Sequence, residues 1–275
     1  MSARLVSGSD TLTLDEANGW FVQSLDVGYP QVRAVVNPRA DADGVYDSTL
    51  YFGARTVSLS LRAIGDRRAS FESLSRFLRP STRPVLFFTV DGTERRLRLR
   101  PSGRSAAFVG TPNSQEFLAQ WVAPDGVIEA ATETTATASA VPVGEIGRTY
   151  DLTFDRDYVG TSPVGSVTVT NAGTTVTNPV FQLYGPCTDP VIQNLTTGQE
   201  LGFSITLAAT QYLEVNTRDR TVRLNGLANQ NRYNTLDFAT SEWFGLAPGT
   251  TLLRYQPATF AAGAVAKVTF RSAWI

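Results

Sequence analysis

From Arg55 to Arg62 apolar and polar side chains alternate without a break. Val57, Leu59 and Leu61 point one way and Thr56, Ser58 and Ser60 the other, the period of two that marks a strand with one face in a core. Leu12 and Leu14 stand against Thr11 and Thr13 in a first strand, and Phe21, Val22, Leu25 and Val27 predict a second. Val85 to Val90 is a continuous apolar run, which predicts a strand buried on both faces. Asp91-Gly92 turns the chain, and Thr93 to Arg100 returns as its partner, with Leu97 and Leu99 opposed to Arg96, Arg98 and Arg100. Phe117 to Val122 predicts another strand, ended by the turn Ala123-Pro124-Asp125-Gly126. A single helix interrupts this series. Asp66 is placed to cap it, Phe71, Leu74, Phe77 and Leu78 recur at helical spacing, and Pro80 stops it, so a helix is expected over about residues 66–79. It is expected to lie across the sheet and cover its apolar face, each of the four side chains contributing roughly 1.5–3 kcal/mol on burial.

Glu129 to Ser139 has almost no large apolar residue and reads as an exposed linker or an edge strand. Beyond it the alternation returns. Phe203, Ile205 and Leu207 oppose Ser204 and Thr206. Val222 and Leu224 flank Arg223, and Ala264, Ala266, Val268 and Phe270 oppose Lys267, Thr269 and Arg271. Gly173, Gly185, Gly198 and the pair Asn225-Gly226 supply turns, the last suited to a type I′ hairpin. Trp243, Phe244 and Leu246 precede Pro248-Gly249, which suits a type II turn, and Leu252, Leu253 and Tyr255 follow in the next strand. Many short strands at this spacing predict a sandwich or jelly roll. Trp274 and Ile275 close the sequence with large apolar groups, which are expected to dock in their own core or against another subunit.

The motifs of the second half also occur in a family order. Asn171/Gly173, Asn178-Pro179, Tyr184-Gly185, Thr197-Gly198/Leu201, Val215/Thr217, Asn225-Gly226 and Trp243/Leu246/Pro248-Gly249 follow one another in a pattern that resembles the carboxy-terminal half of the distal tail proteins of long-tailed, siphovirus-type bacteriophages. In the first half, Ala123-Pro124-Asp125 sits where that family closes its first domain, with Gly126 where proline is usual, and the order strand, strand, helix, hairpin agrees. The resemblance implies a mainly β, two-domain fold. Residues 1–127 would be a tail-tube-like β-sandwich with one flanking α-helix, 128–142 a linker, and 143–275 a galectin-like or jelly-roll-like β-sandwich whose last strand docks on its own first domain. It further implies a structural virion protein: a homo-oligomeric ring of about six copies closed by heterologous contacts. Such a ring joins the tail tube to the tip and adhesion apparatus. Tube protein, tape-measure protein and tip proteins are its implied partners, DNA passes through without specific contact, and assembly takes place in the host cytoplasm.

Composition narrows the chemistry. The 275 residues allow one large or two ordinary domains, and 42% hydrophobic residues suffice for real cores. There is no histidine, which removes Ser-His-Asp and Cys-His catalysis and the commonest zinc sites. The net charge of −1 gives no electrostatic reason for tight nucleic-acid or membrane-surface binding. Cys187 is alone, so no intrachain disulfide forms, in keeping with a reducing compartment. Met1 to Leu14 lack a basic region followed by an apolar run, so no signal peptide is expected, and no apolar stretch is long enough to span a bilayer. Lys267 is the only lysine. A GC-rich coding genome explains that bias more simply than selection for arginine forks at subunit contacts.

Candidate sites are few. Asp41 and Asp43 lie in the polar stretch Asn37 to Gly44, but the calcium-loop spacing and its distal glutamate are missing, so a solvated loop is the preferred reading. Asp151, Asp155 and Asp157 form the tightest acidic cluster and are read as a solvated strand face and turn. The ladder Arg96, Arg98, Arg100 has three readings: a nucleic-acid grip, a solvated face or set of partners for carboxylates on a neighbouring strand, or a face toward an adjacent subunit or lumen. The second is preferred because no aromatic platform is interleaved with it. Trp243 or Trp274, if exposed, would suit a carbohydrate-binding module, and that is the alternative function. No paired carboxylates support a glycosidase, so no catalytic residue, cofactor or metal is expected.

Overall fold

A computed structural model describes residues 2–33, 37–46, 50–108, 113–141 and 165–275. The chain divides into two compact units, residues 1–131 together with 274–275, and residues 132–273. In the first, β1 (Ala3–Ser7), β2 (Asp10–Leu14) and β3 (Trp20–Asp26) precede four two-residue strands: β4 (Val32–Arg33), β5 (Asn37–Pro38), β6 (Val45–Tyr46) and β7 (Tyr51–Phe52). Then come β8 (Arg55–Ile64), α1 (Arg67–Ser75), β9 (Val85–Val90), β10 (Thr93–Arg98), β11 (Arg100–Phe108), β12 (Ser114–Ala123) and β13 (Ile128–Ala130). One sheet runs β2-β1-β9-β10-β13, with the chain's closing strand Ala273–Trp274 at its edge, and the other runs β11-β12-β8-β3. Their inner faces share one core. Leu5, Leu14, Leu86, Phe88 and Leu97 come from the first sheet, and Val57, Leu59, Leu61, Phe117 and Trp121 from the second.

The mainly β architecture, with one α-helix among the described residues, is as expected, and four local departures have physical causes. Val85–Val90 is buried on one face only: Leu86 and Phe88 are in the core, while on the other face Val85 and Phe87 are only part-buried, Thr89 is exposed and the guanidinium of Arg4 lies 4.3 Å over the Phe87 ring. An antiparallel sheet can face water on one side, and Arg4 covers part of that side. The odd spacing of Val22 and Leu25 comes from a β-bulge between Val22 and Ser24, which returns both residues to the inner face opposite Leu61 and Leu59. In the helix, Asp66 accepts hydrogen bonds from the Arg68 and Ala69 amides as a cap should. Leu74 and Phe77 are buried but Phe71 is exposed. The helix tightens into a 3₁₀ turn at Arg76–Leu78, which lines up residues three apart, so the buried stripe forms at its carboxy-terminal end. The stretch 128–142, expected as a linker with Glu129 to Ser139 exposed or in an edge strand, holds β13 and, at the edge of its sheet, β14 (Thr134–Ser139), whose small threonine and alanine side chains suit that place.

In the second unit β14 opens a five-stranded sheet with β25 (Val265–Phe270), β16 (Val180–Tyr184), β21 (Tyr212–Asn216) and β22 (Thr221–Leu224), in that spatial order. A four-stranded sheet runs β15 (Ser166–Asn171), β23 (Gly249–Tyr255), β18 (Val191–Asn194), β19 (Glu200–Gly202). A small third sheet joins β20 (Thr206–Leu207), β17 (Cys187–Thr188) and β24 (Thr259–Phe260). Phe181, Leu183, Leu213, Val215, Leu253, Ala266 and Val268 meet in the core between them. The tight hairpin of this unit is Thr217–Arg220, between β21 and β22, where Leu213 faces Leu224. Asn225-Gly226 does not join two strands. Both residues have positive φ, as a type I′ turn needs, but they end β22 and begin a wide return. Asn225 Oδ1 accepts from the Tyr212 amide, which fixes that end of the sheet.

At the bottom of this core the Tyr255 hydroxyl donates to the Tyr184 carbonyl at 3.2 Å and lies 3.2 Å from Cys187 Sγ. Burial first, and the neighbouring thiol second, push the Tyr255 hydroxyl far above the ordinary tyrosine range; burial likewise raises the Cys187 thiol. The unfolded chain releases these protons near pH 10.0 and 9.0, whereas the fold retains them. Their contribution to stability is therefore complete below about pH 9 and is lost progressively as pH rises beyond it. We expect the urea midpoint of the second unit to fall between pH 9 and 11, and Tyr255→Phe to flatten the upper part of that fall. Equal slopes in both proteins would contradict this assignment.

Candidate functional site

The outer face of the β11-β12-β8-β3 sheet is the most distinctive surface of the first unit. On β8 it carries Thr56, Ser58, Ser60 and Arg62, and on β12 Glu116, Leu118, Gln120 and Val122, paired by the register Arg62 with Glu116, Ser60 with Leu118, Ser58 with Gln120 and Thr56 with Val122. These groups bond to one another. Gln120 donates to Ser58 Oγ at 3.0 Å, Ser60 to Gln23 Oε1 at 3.0 Å, Gln23 to Glu116 Oε1 at 3.2 Å and Arg62 to Ser114 Oγ at 2.8 Å. The result is a bed of short hydroxyls and amides in which Arg62 and Glu116 lie side by side, with Asp26 of β3 opposite Ser58 and Arg100 of β11 opposite Val122. Both end strands of the sheet, β3 and β11, have one edge that pairs with no strand among the described residues.

Between β3 and β8 the chain leaves the sandwich as an arm. Its ladders nest: Val32 and Arg33 pair with Phe52 and Tyr51, and farther out Asn37 and Pro38 pair with Tyr46 and Val45. Tyr29 (66% exposed), Val32, Val45, Tyr46 (61%), Leu50, Tyr51 (60%) and Phe52 all face solvent. Asn37 to Gly44 is the exposed tip, and Asp41 and Asp43 sit in it. Among the described residues no group of three or more Asp, Glu, Cys or His side chains could hold a metal.

The root of the arm is tightly built. Gly28 and Gly126 have φ of 58° and 63°, and a β-carbon on either would come within 2.8 Å of a backbone oxygen, Thr56 O or Gly53 O respectively. Arg55, only 3% exposed, donates from Nε to Gly126 O and from Nη1 to Gly28 O, both at 3.1 Å. Its Nη2 is buried with no hydrogen-bond partner, and burial holds its pKa below the ordinary arginine value, offset in part by Tyr29. A fully buried arginine without a carboxylate is uncommon. The sequence hides it, since an arginine at the start of a strand reads as surface.

The arginine ladder is split between two sheets. Arg96 and Arg98 are on β10 and converge on Glu129 Oε2 of β13 at 2.6 and 3.4 Å. Arg100 opens β11 in the other sheet, because the chain crosses between sheets at Leu99, whose amide bonds Pro84 O. Arg100 Nη1 is buried without a hydrogen-bond partner. Arg96 and Glu129 shield each other, with side chains 14% and 12% exposed, so this strand does not present a row of free cations. Trp274 belongs to the first unit, and the guanidinium of Arg95 lies 3.3 Å over its ring. Ile275 is beside it in the same unit.

In the second unit the family-motif residues converge on backbone geometry rather than on a cavity. Asn171 is 1% exposed and saturated: Nδ2 donates to Thr175 O and Leu246 O, and Oδ1 accepts from the Gly173 and Ala273 amides. Gly173 abuts the Ala273 carbonyl and Gly185 the carbonyls of Ala208 and Leu207. Gly249 has φ of 92°, as the turn Pro248-Gly249 requires. Trp243 is half-buried, its ring parallel to that of Tyr233 with centroids 6.3 Å apart, so it is packed against its own unit. Tyr184 stands on the outer face of the five-stranded sheet. Asp151, Asp155 and Asp157 lie outside the described residues. No described helix is long and apolar enough to cross a membrane.

Residues 172–274 match the family model described as the siphovirus-type tail component, C-terminal domain. The whole fold is similar to that of the SPP1 Dit protein, described as a paradigm of the hub adsorption apparatus in phages that infect Gram-positive bacteria. The TM-score is 0.66 at 16% identity, over 99% of each chain. It is also similar to a chain of the phage p2 baseplate in its activated conformation with strontium (TM-score 0.50, 12% identity, 98% of this chain and 97% of that one). No curated protein matches the chain.

Proposed function

We propose that this chain, whose residues 172–274 match the siphovirus-type tail component, C-terminal domain, is a structural hub of a bacteriophage tail that works as a closed ring of its own copies. The observation that carries the reading is the arm. Seven large apolar side chains stand in water on a ribbon that is too short to be stable alone and is held by a rigid root. A single chain gains nothing from that arrangement, whereas burial against a neighbour contributes roughly 25 cal/mol per Å² of apolar surface. A patch of this kind marks an interaction site.

The open edges of the four-stranded sheet supply the second half of the argument. An exposed edge is a template for another strand, and in a heterologous ring the β3 edge of one copy meets the β11 edge of the next until the rotation closes. The hydroxyl-and-amide face of that sheet then lines the conduit. Its near-neutral bed suits passing DNA, because each retained cation–phosphate contact would hold the polymer in place. A ring of about six copies is the expected state, with tail-tube, tape-measure and tip proteins as neighbours, no catalytic step, and a place in the virion tail after assembly in the host cytoplasm.

The arm is the part to test first. Replacing Tyr46, Tyr51 and Phe52 together by serine removes apolar surface that stands about half exposed in the monomer. Light scattering is expected to show rings for the parent and monomers for the variant at equal concentration, with thermal midpoints within a few degrees. Rings that persist in the triple variant would refute the role of the arm.

A further inference from the structure

We infer that the outer face of the five-stranded sheet in the second unit is a saccharide-binding platform. This goes beyond the hub reading and stands without it. The register places one transverse row of polar side chains across four adjacent strands: Lys267 opposite Gln182, Gln182 opposite Glu214, and Glu214 opposite Arg223. At the strand spacing of about 4.8 Å the row spans roughly 14 Å. One step along the strands, Tyr184 faces Tyr212, their rings 5.0 Å apart and inclined by 32°. The Tyr184 hydroxyl donates to Gln182 Oε1 at 3.2 Å, which ties the aromatic pair to the row. The reverse faces of the same strands, with Leu183, Leu213, Ala266, Val222 and Leu224, are in the core, so the platform rests on a rigid base.

The charged members of the row are uncommitted. Among the described residues Lys267, Glu214 and Arg223 make no ion pair and no side-chain hydrogen bond, although all three are half-buried. By contrast, the half-buried Arg96 is paired with Glu129 and Arg271 with Glu133. Gly226 lets the free side chains lie flat, with Glu214 Oε2 and Tyr212 Oη 3.0 and 3.1 Å from where a β-carbon would stand.

This chemistry fits a pyranose chain better than a protein. A sugar ring has an apolar C–H face that packs on aromatic rings, and hydroxyls that both donate and accept. Lys and Arg supply donors only, a carboxylate acceptors only, and an amide both, so the row offers each hydroxyl a complementary group. A protein partner would call for a core depleted in lone charges. The sugar ring would sit on Tyr184 and Tyr212, with its hydroxyls toward Gln182 and Glu214 and the next units reaching Lys267 or Arg223. Trp243, stacked on Tyr233, and Trp274, under Arg95, take no part.

The test is titration calorimetry of the full chain with oligosaccharides of glucose, galactose, N-acetylglucosamine and glucuronate. At least one is expected to bind saturably with Kd of about 10⁻⁴ to 10⁻³ M. Tyr212→Ala and Lys267→Ala should each weaken that binding at least tenfold, whereas Trp243→Ala should leave it unchanged. Gln182→Ala, on the outer face of the sheet away from Phe181 and Leu183 of the core, is a further variant, checked for an unchanged thermal midpoint, and it should also weaken binding. Preference for the glucuronate chains would place the acid group on Lys267 or Arg223. Absence of binding across the panel overturns the proposal. So does binding that survives Gln182→Ala and Lys267→Ala, or variants that lose ring assembly or partner capture and leave sugar binding intact, which would assign the face to a protein.

Discussion

Gly173→Ala is expected to destabilise the second unit by about 3–5 kcal/mol, at the upper end for a single substitution. The added methyl would overlap the carbonyl of Ala273, and the atoms it meets are backbone. That backbone has no freedom to retreat. Ala273 O accepts from the amides of Thr174 and Thr175 at 2.8 and 3.1 Å, and the Ala273 amide donates to Asn171 Oδ1 at 3.2 Å. Asn171 belongs to the same knot. Asn171→Ala deprives two carbonyls and two amides of their partner at once, each a buried group worth roughly 1–3 kcal/mol when orphaned. Asn171→Asp keeps the accepting oxygen but turns a second one toward the carbonyls of Thr175 and Leu246, so it is expected to be worse than alanine. Hydrogen exchange should rise throughout residues 166–255 in these variants and stay unchanged in β8 and β12. A loss below 1 kcal/mol for Gly173→Ala would show that the turn yields more easily than its bonding implies.

The second large effect separates stability from assembly. Among the described residues Arg55 is a buried cation with no carboxylate, so Arg55→Met is expected to change the stability of the fold little, because relief from burying a charge offsets the two lost hydrogen bonds to carbonyls. The same change removes the two hydrogen bonds that hold Gly28 O and Gly126 O, the anchors of the arm. Ring formation should weaken at least tenfold while the thermal midpoint holds. Gly126→Ala acts on the same root from the other side, since its methyl would press on Gly53 O at 2.8 Å and Pro30 Cβ at 3.2 Å. Concentration-dependent light scattering beside thermal melts reads both quantities. If Arg55→Met lowers the melt by ten degrees or more and ring affinity falls only in proportion, the arginine is an ordinary core residue.

Much of the sandwich could be read from the alternation of its strands. Val57, Leu59 and Leu61 are buried with Thr56, Ser58 and Ser60 outside, and the last long strand alternates as read. The family order of motifs agrees with the match over residues 172–274. What escaped the sequence has common causes. The arm left no signal, because strands of two residues are too short to show a period. Arg55 escaped because burial of an arginine depends on carbonyls 27 and 71 residues away in sequence. The run Val85–Val90 looked buried on both faces because Arg4, the residue that covers Phe87, comes from a different strand. Asn225-Gly226 has the backbone of a hairpin turn without a strand to follow it, since hairpin dipeptides fix φ but not pairing.

The surface that joins copies is the claim on which the functional reading stands. Native mass spectrometry of the purified full chain, at protein concentrations spanning two decades, measures it directly. One closed species of about six chains is expected, which falls to monomers when Tyr46, Tyr51 and Phe52 are serine. A monomer or a stable dimer at every concentration, unchanged by those substitutions, would contradict it.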